Sequence, residues 1–329
     1  MNKNYRVSVI VTTYNASRWV SNVLNSLLAQ TYPTEKIEII VVDDGSIDET
    51  STLVKNLATS HHQIHLIKQA NQGTAGALTT GLTNATGEII ALLSHDCYAT
   101  PEWISNVVDI FTTNHGIGIV QGMILPEKPI DIPFYHCTTV YQPSRSFEGA
   151  CVAYRSEAVD KAGRYFDKTL SRYGDDADMA WRIIEKGYQA KWIAKSTAYH
   201  AVVPKPFSIR RAIRDAWGSQ VFPLLFKRHP QLRQKLWFGT LLGDKYRYLR
   251  LLAVFVSIIM VLVGLFPLAI CILIAIIVTT WMQVLKRNQS YQIKFFDKFI
   301  LIPIDILIHE WVGFIALFIG SVKYRCLIM

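Results

Sequence analysis

The chain has few cysteines for its length, and one long stretch has no charge at all. Five cysteines occur among 329 residues, and they show no paired spacing. This excludes a small disulfide-stabilised scaffold and is typical of a protein from a reducing compartment. No charged residue lies between Arg250 and Lys286. Because so long an uncharged run is rare outside membranes, the sequence predicts a membrane-associated region there.

The uncharged run is too long for a single straight membrane helix. As one helix its 35 residues would measure roughly 52 Å, against about 30 Å for the hydrocarbon core of a bilayer. Gly264 and Pro267 offer a break within the run. We therefore expect a helical hairpin of two short spans, at about 250–266 and 267–285. A buried hairpin of a soluble protein is the less favoured alternative.

A third apolar stretch follows at about 299–322, and Asp305, His309 and Glu310 interrupt it. Ionisable groups at membrane depth are expensive and often functional, so these three could contact a lipid headgroup or a phosphate-bound cation. Equally, the stretch could be a re-entrant or interfacial helix whose polar face touches water. Together the three stretches predict membrane-anchoring helices over 246–329 and a protein that crosses the cell membrane more than once.

The formal charge of +9 comes largely from basic residues that precede the first apolar run. Positive charge beside a membrane segment marks the cytoplasmic side and attracts anionic headgroups. No signal peptide precedes the first predicted strand, so we expect the N-terminal part to be cytoplasmic. We expect no nucleic-acid partner, because no nucleic-acid motif accompanies these residues. They are Arg210, Arg211, Arg214, Lys227, Arg228, Arg233, Lys235, Lys245, Arg247 and Arg250.

The part before the membrane segments alternates between strand and helix patterns. Predicted strands cover 7–13, 37–42, 65–68 and 89–93. The alternation favours a Rossmann-like α/β domain with a mainly parallel sheet over residues 1–245. From 118 to 147 the pattern loosens, and we expect a loop-rich connection there. Ligands of parallel sheets bind at the carboxyl ends of the strands, and polar residues of this chain cluster at those ends.

Polar or acidic residues follow three of the predicted strands, and a further acidic cluster stands later in the chain. The segments are Thr12-Thr13-Tyr14-Asn15, Asp43-Asp44-Gly45-Ser46, Ser94-His95-Asp96 and Asp175-Asp176-Ala177-Asp178. This ordered set resembles the inverting family-two glycosyltransferases of the GT-A fold. The resemblance covers about the first 205 residues, and the roles given below for single residues are what it implies.

The resemblance implies a nucleotide site at the first two strand ends. The loop after the first strand would close over the base, which implicates Thr13 and Tyr14. Asp44 would accept the imide N–H of uracil, a contact that discriminates between bases. Asn71 and Gly73 would form a helix cap and tight turn near the nucleotide. The alternative for Asp44 is that it caps the next helix.

The resemblance also implies a divalent metal at the fourth strand end. Family members carry an acidic cluster there, often Asp-X-Asp, whose last carboxylate contacts a metal on the diphosphate. Here Ser94 replaces the first acid and His95 follows it, which leaves Asp96 at the metal position. Such a site suits Mg²⁺ or Mn²⁺. His200 matches a histidine that ends the catalytic domain in many members. It could be a second ligand, although a lone histidine is more often structural. Ser94 and His95 would lie beside the donor, although His95 could simply fill space.

The acidic cluster at 175–178 matches the family's catalytic segment. One carboxylate of its pair would be the general base that deprotonates the acceptor hydroxyl, with Asp176 favoured and Asp175 the alternative. Acids at a helix start also occur because the helix dipole favours them, but this explains three acids within four residues poorly. Arg182 belongs to the same motif and would lie on the donor side. Small residues that match the stretch lining the donor sugar are Gly149, Ala150 and Cys151.

These expectations combine into an inverting transferase that uses a nucleotide sugar, with UDP the expected nucleotide. The acceptor would be a polyprenyl phosphate, a glycolipid or a membrane-bound saccharide. Two other classes stay open. A catalytically impaired membrane scaffold of the same fold is suggested by Ser94 but opposed by the intact acids at 175–178. A nucleotidyltransferase should show a glycine-rich basic loop after the first strand, and the segment 12–16 is not one.

Overall fold

A computed structural model describes residues 5–130, 132, 134–170, 173–235, 245–287 and 300–327 of the protein. The chain forms two compact units. The N-terminal unit comprises Met1–Pro129 and His136–Val203, and the C-terminal unit comprises Ile130–Tyr135 and Pro204–Met329. The division into a catalytic domain at 1–245 and membrane helices at 246–329 stays a prediction. The residues after Val203 group with the C-terminal helices.

The N-terminal unit is a sheet with helices between its strands, as the alternating pattern predicts. Its strands are β1 (Val7–Thr13), β2 (Ile37–Asp43), β3 (Ile64–Lys68), β4 (Ile89–Leu93), β5 (Cys97–Ala99), β6 (Ile117–Pro126), β8 (Cys151–Arg155) and β9 (Gln189–His200). Its helices are α1 (Val20–Leu28), α2 (Thr50–Ser60), α3 (Thr74–Asn84), α4 (Trp103–Thr113), α5 (Ser156–Lys161) and α6 (Asp175–Glu185). Two short strands, β7 (Tyr135–His136) and β10 (Val203–Pro204), form a separate two-stranded sheet.

The eight strands lie in the order β3-β2-β1-β4-β8-β6-β9-β5. The first four run parallel to one another. Strand β8 is antiparallel to both neighbours, β9 is parallel to β6, and β5 is antiparallel to β9. The sheet is therefore mainly parallel, as the sequence predicts, and its parallel half contains the three strands that end in polar residues.

Burial explains why the parallel strands read as apolar runs. All five residues of β4 are buried, and in β1 only Thr12 is partly exposed. A strand covered by helices on both faces needs apolar side chains at successive positions, so the alternation of a half-exposed strand is missing. The resulting scaffold fixes the strand ends that carry the polar residues.

The predicted loop-rich connection over 118–147 is wrong in its first part. Residues 117–126 form β6, which is paired on both sides by β8 and β9. Gly122 sits where a Cβ would lie 2.3 Å from the carbonyl oxygen of Ser196, so the close approach of β9 requires a glycine. The loop prediction rests on four prolines, at 126, 129, 133 and 143, and the first of these is the last residue of β6.

The C-terminal unit is helical. Its helices are α7 (Ile209–Trp217), α8 (Phe222–Arg228), α9 (Lys245–Leu262), α10 (Phe266–Arg287) and α11 (Ile302–Tyr324), with 3-10 turns at Gly218–Val221 and Pro230–Lys235. The expected break in the uncharged run is confirmed, because α9 and α10 are separated at Gly264, whose φ is 80°. A positive φ favours glycine, which has no Cβ to clash.

One helix of the described part, Ile302–Tyr324, is long and apolar enough to cross a membrane by length and composition, with a mean hydropathy of 1.8. Leu252–Leu262 and Phe266–Ile276 are shorter apolar helices. Crossing by several spans therefore stays a prediction. The start of the predicted third span, Phe299, lies outside the described residues.

Candidate active site

The carboxyl ends of β1, β2 and β4 meet at one edge of the sheet. Strand register sets Thr13 opposite Asp43 and Ile10 opposite Leu92. Because these strands are parallel and adjacent, the segments that follow them leave the sheet on the same side. The fold therefore brings together the polar residues that follow the three strands.

The loops after β1 and β2 are hydrogen-bonded to each other. Asn15, with φ of 50°, donates its backbone N–H to Ser46 Oγ at 2.9 Å. Its side-chain oxygen accepts the backbone N–H of Ile47 at 3.0 Å. Thr13 is buried, whereas Tyr14 is 49% exposed. Of the two residues predicted to lie at the base, Tyr14 is therefore the one whose ring is accessible to a ligand.

Asp44 is a buried carboxylate that accepts three hydrogen bonds. The donors are Gln69 Nε2 at 2.7 Å and the backbone N–H groups of Gln72 and Gly73, both at 2.8 Å. A carboxylate has about four acceptor positions, so one remains. Asp44 thus fixes the turn before α3, in which Asn71 is exposed, and it retains one acceptor position for a ligand.

Asp96 follows β4, and its carboxylate faces two imidazole rings. Pairing of β5 with β9 sets Cys97 opposite His200, and Ala201 donates its N–H to the carbonyl oxygen of Asp96 at 2.8 Å. His200 Nε2 lies 3.5 Å from Oδ1 of Asp96, and His136 Nε2 lies 3.9 Å from Oδ2. The fold therefore brings the two predicted metal ligands together and adds His136.

The tautomer of His200 follows from its neighbours. Its Nδ1 lies 2.8 Å from the carbonyl oxygen of Ala201, which can only accept. Nδ1 therefore carries the hydrogen, and in the neutral ring Nε2 presents a lone pair to the carboxylate of Asp96. Nε2 of His200 and Oδ1 of Asp96, 3.5 Å apart, can therefore share a cation. These donors fit a divalent metal, and the imidazole nitrogens suit Mn²⁺ better than Mg²⁺, which prefers oxygen ligands.

Cys97 lies beside the same cluster. Its sulfur is within 4.8 Å of ligand atoms of Asp96 and His200. Burial, with the charge of Asp96 adding to it, raises the pKa of the Cys97 thiol well above its usual range. A hard cation binds thiols poorly, and this thiol resists ionisation, so Cys97 belongs to the core.

An open cavity of about 180 Å³ lies at the strand ends. Four predicted site residues line it, namely Ser94, Gly149, Ala150 and Asp176. The other lining residues are Ile10, Thr12, Thr74, Leu78, Leu92, Leu93, Thr138 and Glu148. Cys151 is buried at the start of β8, and His95 is half-buried. Neither is among the residues that line the cavity.

Asp176 is one of two acids that line the cavity, with Glu148 the other. Its Oδ2 accepts the N–H of Gly149 at 2.9 Å, and a Cβ at Gly149 would lie 2.6 Å from Oδ1. Burial, opposed by the Gly149 hydrogen bond and helped by the charge of Glu148, raises the pKa of Asp176 to about 6. Burial and the neighbouring charge of Asp176 raise the pKa of Asp175 well above its ordinary value. Near neutral pH, Asp176 is thus ionised in the cavity and can accept a proton.

Arg182 is held by the protein itself. Its Nε donates to Asp178 Oδ2 at 2.8 Å, and its other nitrogens donate to the carbonyl oxygens of Ala162 and Tyr165. Asp178 is fully buried, so this ion pair neutralises a carboxylate inside the fold. Arg182 is not among the residues that line the cavity, and its donor role stays a prediction.

Two residues of the site, His136 and Glu148, were not predicted from the sequence. His136 stands alone in a stretch that reads as loop, and only its position beside Asp96 reveals it. Glu148 precedes the small-residue stretch. It accepts hydrogen bonds from Gln121 Nε2 at 2.7 Å and Ser144 Oγ at 2.9 Å while lining the cavity. An acid directly before Gly149 is the one signal that could have indicated it.

Comparison with known families gives two overlapping matches. Residues 8–148 match the family model described as Glycosyl transferase family 2, and residues 89–283 match the one described as Glycosyl transferase family group 2. The second match covers more than half of the chain.

Curated relatives share parts of the chain. An uncharacterised glycosyltransferase, alr2836, of Nostoc sp. is 39% identical over 119 residues, which are 36% of each protein. A glucosyl-dolichyl phosphate glucuronosyltransferase of Haloferax volcanii is 27% identical over 186 residues, or 52% of this chain and 58% of that protein. The chain therefore spans less than two thirds of either relative.

Among solved structures, the mannosyltransferase PcManGT from Pyrobaculum calidifontis, in complex with GDP-Man and Mn²⁺, has a similar fold. The TM-score is 0.60 with 22% identity, over 98% of this chain and 87% of that one. At this identity the likeness extends to the fold alone.

Proposed function

Because the chain belongs to glycosyl transferase family 2, we propose that it transfers a sugar from a nucleotide diphosphate donor to an acceptor hydroxyl with inversion. The observation that carries this proposal is the ionisable Asp176, which faces a cavity at the same sheet edge as Asp44. The same observation argues against a catalytically impaired scaffold, since such a protein has no need of a cavity acid with a raised pKa.

Asp176 acts as the general base. Its carboxylate accepts the proton of the acceptor hydroxyl while that oxygen forms a bond to the anomeric carbon of the donor sugar. The bond between the anomeric carbon and the diphosphate oxygen breaks on the opposite side, and its electron pair leaves with the diphosphate. The Gly149 N–H holds the carboxylate in place. The high pKa of Asp175 leaves the ionised charge on Asp176.

Asp96, His200 and His136 would hold a divalent cation. When bound, such a cation supplies positive charge to the diphosphate and stabilises it as a leaving group. The protein prepares the site through the carbonyl of Ala201, which fixes His200 with its Nε2 lone pair towards Asp96. His136 is the added member of this set, and the nitrogen ligands favour Mn²⁺ over Mg²⁺.

The nucleotide lies against the ends of β1 and β2. Asp44 has one acceptor position left after its three hydrogen bonds, and it accepts the imide N–H of a uracil ring. Tyr14 contacts the base, and Thr13, at the end of β1, supports the loop that carries Tyr14. Asn71 and Gly73 shape the turn beside it. UDP is therefore the nucleotide we expect.

The acceptor is membrane-associated. The support comes from the apolar helices α9, α10 and α11 and from the name of the Haloferax relative, a transferase acting on a glucosyl-dolichyl phosphate. A glycolipid or a membrane-bound saccharide would supply the hydroxyl that Asp176 deprotonates, whereas a polyprenyl phosphate would attack through an already ionised phosphate oxygen and would not need this base. The basic residues that precede the apolar run put the N-terminal unit on the cytoplasmic side of a multi-pass protein.

The proposal is tested with the full chain in lipid nanodiscs. A panel of UDP-, GDP- and dTDP-sugars is incubated with Mn²⁺ and a polyprenyl phosphate or diacylglycerol acceptor. NMR of the product gives its anomeric configuration. We expect one UDP-sugar to be consumed with inversion. A product with retained configuration would contradict the proposal. Transfer of the nucleoside monophosphate group to the acceptor would also contradict it and would indicate a nucleotidyltransferase.

A further inference from the structure

The helix α11 has a neighbour along most of its length within the C-terminal unit. Residues 209–228 lie against it from one end to the other. Near its middle, Ser219 Oγ contacts the carbonyl oxygen of Gly313 at 3.3 Å. Near its end, Lys227 Nζ donates to the carbonyl oxygen of Tyr324 at 2.9 Å. Because residues 209–228 pack on α11, they must enter or stay out of a membrane together with it.

The neighbouring segment is not built to cross a bilayer. It consists of α7 with nine residues, a 3-10 turn at Gly218–Val221, and α8 with seven residues that include Pro223. The packing on α11 is close, since a Cβ at Gly320 would lie 2.2 Å from the carbonyl oxygen of Gln220. The helix α7 carries three arginines and one aspartate within six positions, 210–215, and charged residues of this kind are costly at the centre of a bilayer.

Exposed cations stand at both ends of the segment. Arg210 and Arg214 are exposed on α7, and Lys227 and Arg228 are exposed at the end of α8. If α11 crossed the bilayer, the pair on α7 would be carried into the hydrocarbon beside the first half of the helix. Charged side chains there are expensive and rarely face lipid.

The exposed face of α7 has the composition of an interfacial helix. Ile209, Ile213 and Trp217 are 55%, 42% and 39% exposed and recur at every fourth position, which places them on one face. Arg210 and Arg214 stand directly beside them. Apolar and aromatic side chains flanked by basic ones favour the boundary between headgroups and acyl chains. The helix α11 also exposes apolar side chains, namely Ile304, Ile315, Phe318, Ile319 and Val322.

We infer that α7, α8 and α11 form one surface that lies in the headgroup plane of an anionic phospholipid bilayer, with α11 parallel to the membrane. The apolar side chains enter the acyl boundary, and the four cations contact headgroup phosphates. This resolves the alternatives for the third apolar stretch, since α11 is interfacial and Asp305, His309 and Glu310 belong to a helix that stays near water. The inference is independent of the reaction.

The test is a depth measurement by spin labelling. The full chain, with Cys137 and Cys271 replaced by serine, is labelled at Ile304→Cys, Ile315→Cys or Val322→Cys in nanodiscs containing phosphatidylglycerol. Accessibility to oxygen and to a water-soluble nickel complex gives the depth of each label. We expect equal depths for the three labels. A central label about 10 Å deeper than the outer two, as the ~1.5 Å rise per residue of a spanning helix requires, would overturn the inference.

A second measurement tests the lipid charge. The label at Ile213→Cys should become more accessible to the nickel complex when the anionic lipid is replaced by phosphatidylcholine. In the variant Arg210→Gln/Arg214→Gln this dependence on lipid should be weaker, because two of the four cations are removed. The control Lys186→Gln/Lys191→Gln removes equal charge from the N-terminal unit and should retain it. Equal accessibility in both lipids for the parent protein, or loss of the dependence in the control, would contradict the inference.

Discussion

Two buried acids that follow β2 and β4, the strands on either side of β1, differ in how their charge is satisfied. Asp44, after β2, is 4% exposed and accepts three hydrogen bonds. Asp96, after β4, is 9% exposed, and among the described residues its carboxylate contacts are two imidazole nitrogens at 3.5 and 3.9 Å. A buried carboxylate needs donors or a counter-charge. The fold supplies the donors at Asp44, whereas at Asp96 the described neighbours are imidazole nitrogens, an arrangement that fits the cation proposed above.

The two carboxylates therefore have different proposed roles. Asp44 positions a turn of the protein, whereas Asp96 would contact a cation that binds and leaves. The hydrogen bonds of Asp44 form with the fold and hold a turn in place. The imidazole of His200 turns its lone pair to Asp96 and is itself held by Ala201, so the pair is arranged before any cation binds. Asp176 lies between the two cases, with one backbone donor and a raised pKa. Three acids at one edge of the sheet therefore have three different tasks.

The largest effect is expected at Asp176. Asp176→Asn removes the proton acceptor and keeps the shape, so transfer should fall by about 10²- to 10⁴-fold while UDP affinity stays unchanged. Single-turnover transfer and calorimetry measure the two quantities. Asp175→Asn is the matched control and should retain most activity. If Asp175→Asn is inactive and Asp176→Asn is active, the two roles are exchanged.

The next effect is expected at the cation site. Asp96→Asn should lower the Mn²⁺-dependent part of UDP affinity by more than the ~10- to 100-fold typical of groups that merely support a metal ligand. The melting temperature should change little, since no hydrogen bond from the described residues to this carboxylate is lost. Calorimetry with and without Mn²⁺ checks the first expectation. An unchanged response to Mn²⁺ would remove Asp96 from the cation site.

Asp44 should give the opposite pattern. Asp44→Asn replaces a carboxylate that accepts two backbone N–H groups and a side-chain amide. Losing one charge-assisted hydrogen bond costs roughly 1.5–3 kcal/mol, so the melting temperature should fall. The ratio of UDP affinities with and without Mn²⁺ should stay as in the parent protein. If Asp44→Asn kept the melting temperature of the parent protein but changed the response of UDP affinity to Mn²⁺, the contrast between Asp44 and Asp96 would be wrong.

The smallest effect is a pH dependence. Because the base must be deprotonated and burial raises the pKa of Asp176 to about 6, the single-turnover rate should rise about tenfold per pH unit below 6 and level off above it. The direction follows from the acid, which is neutral and inactive at low pH. Rates measured from pH 4.5 to 8 give the profile. A plateau that extends below pH 5 would contradict the raised pKa.

The sequence predicted the parallel half of the sheet well. Strands β1 and β4 begin and end at the predicted residues, because strands buried on both faces leave uninterrupted apolar runs. The family resemblance suggested one site for Asp96 and His200, 104 positions apart, and their side chains lie 3.5 Å from each other. Strand β6 was missed, because its pairing with β8 and β9 is non-local and because the prolines from 126 onward favoured a loop. His136 was missed, since a single histidine carries no pattern.

The most direct test of the cation assignment is pulsed EPR of Mn²⁺ bound to the protein with UDP. Imidazole nitrogen bound to Mn²⁺ modulates the electron spin echo, whereas oxygen ligands do not. We expect nitrogen modulation in the parent protein, a weaker signal in His200→Gln, and a normal signal in the control His95→Gln. Absence of nitrogen modulation in the parent, or an unchanged signal in His200→Gln, would contradict a cation held between Asp96 and the histidines.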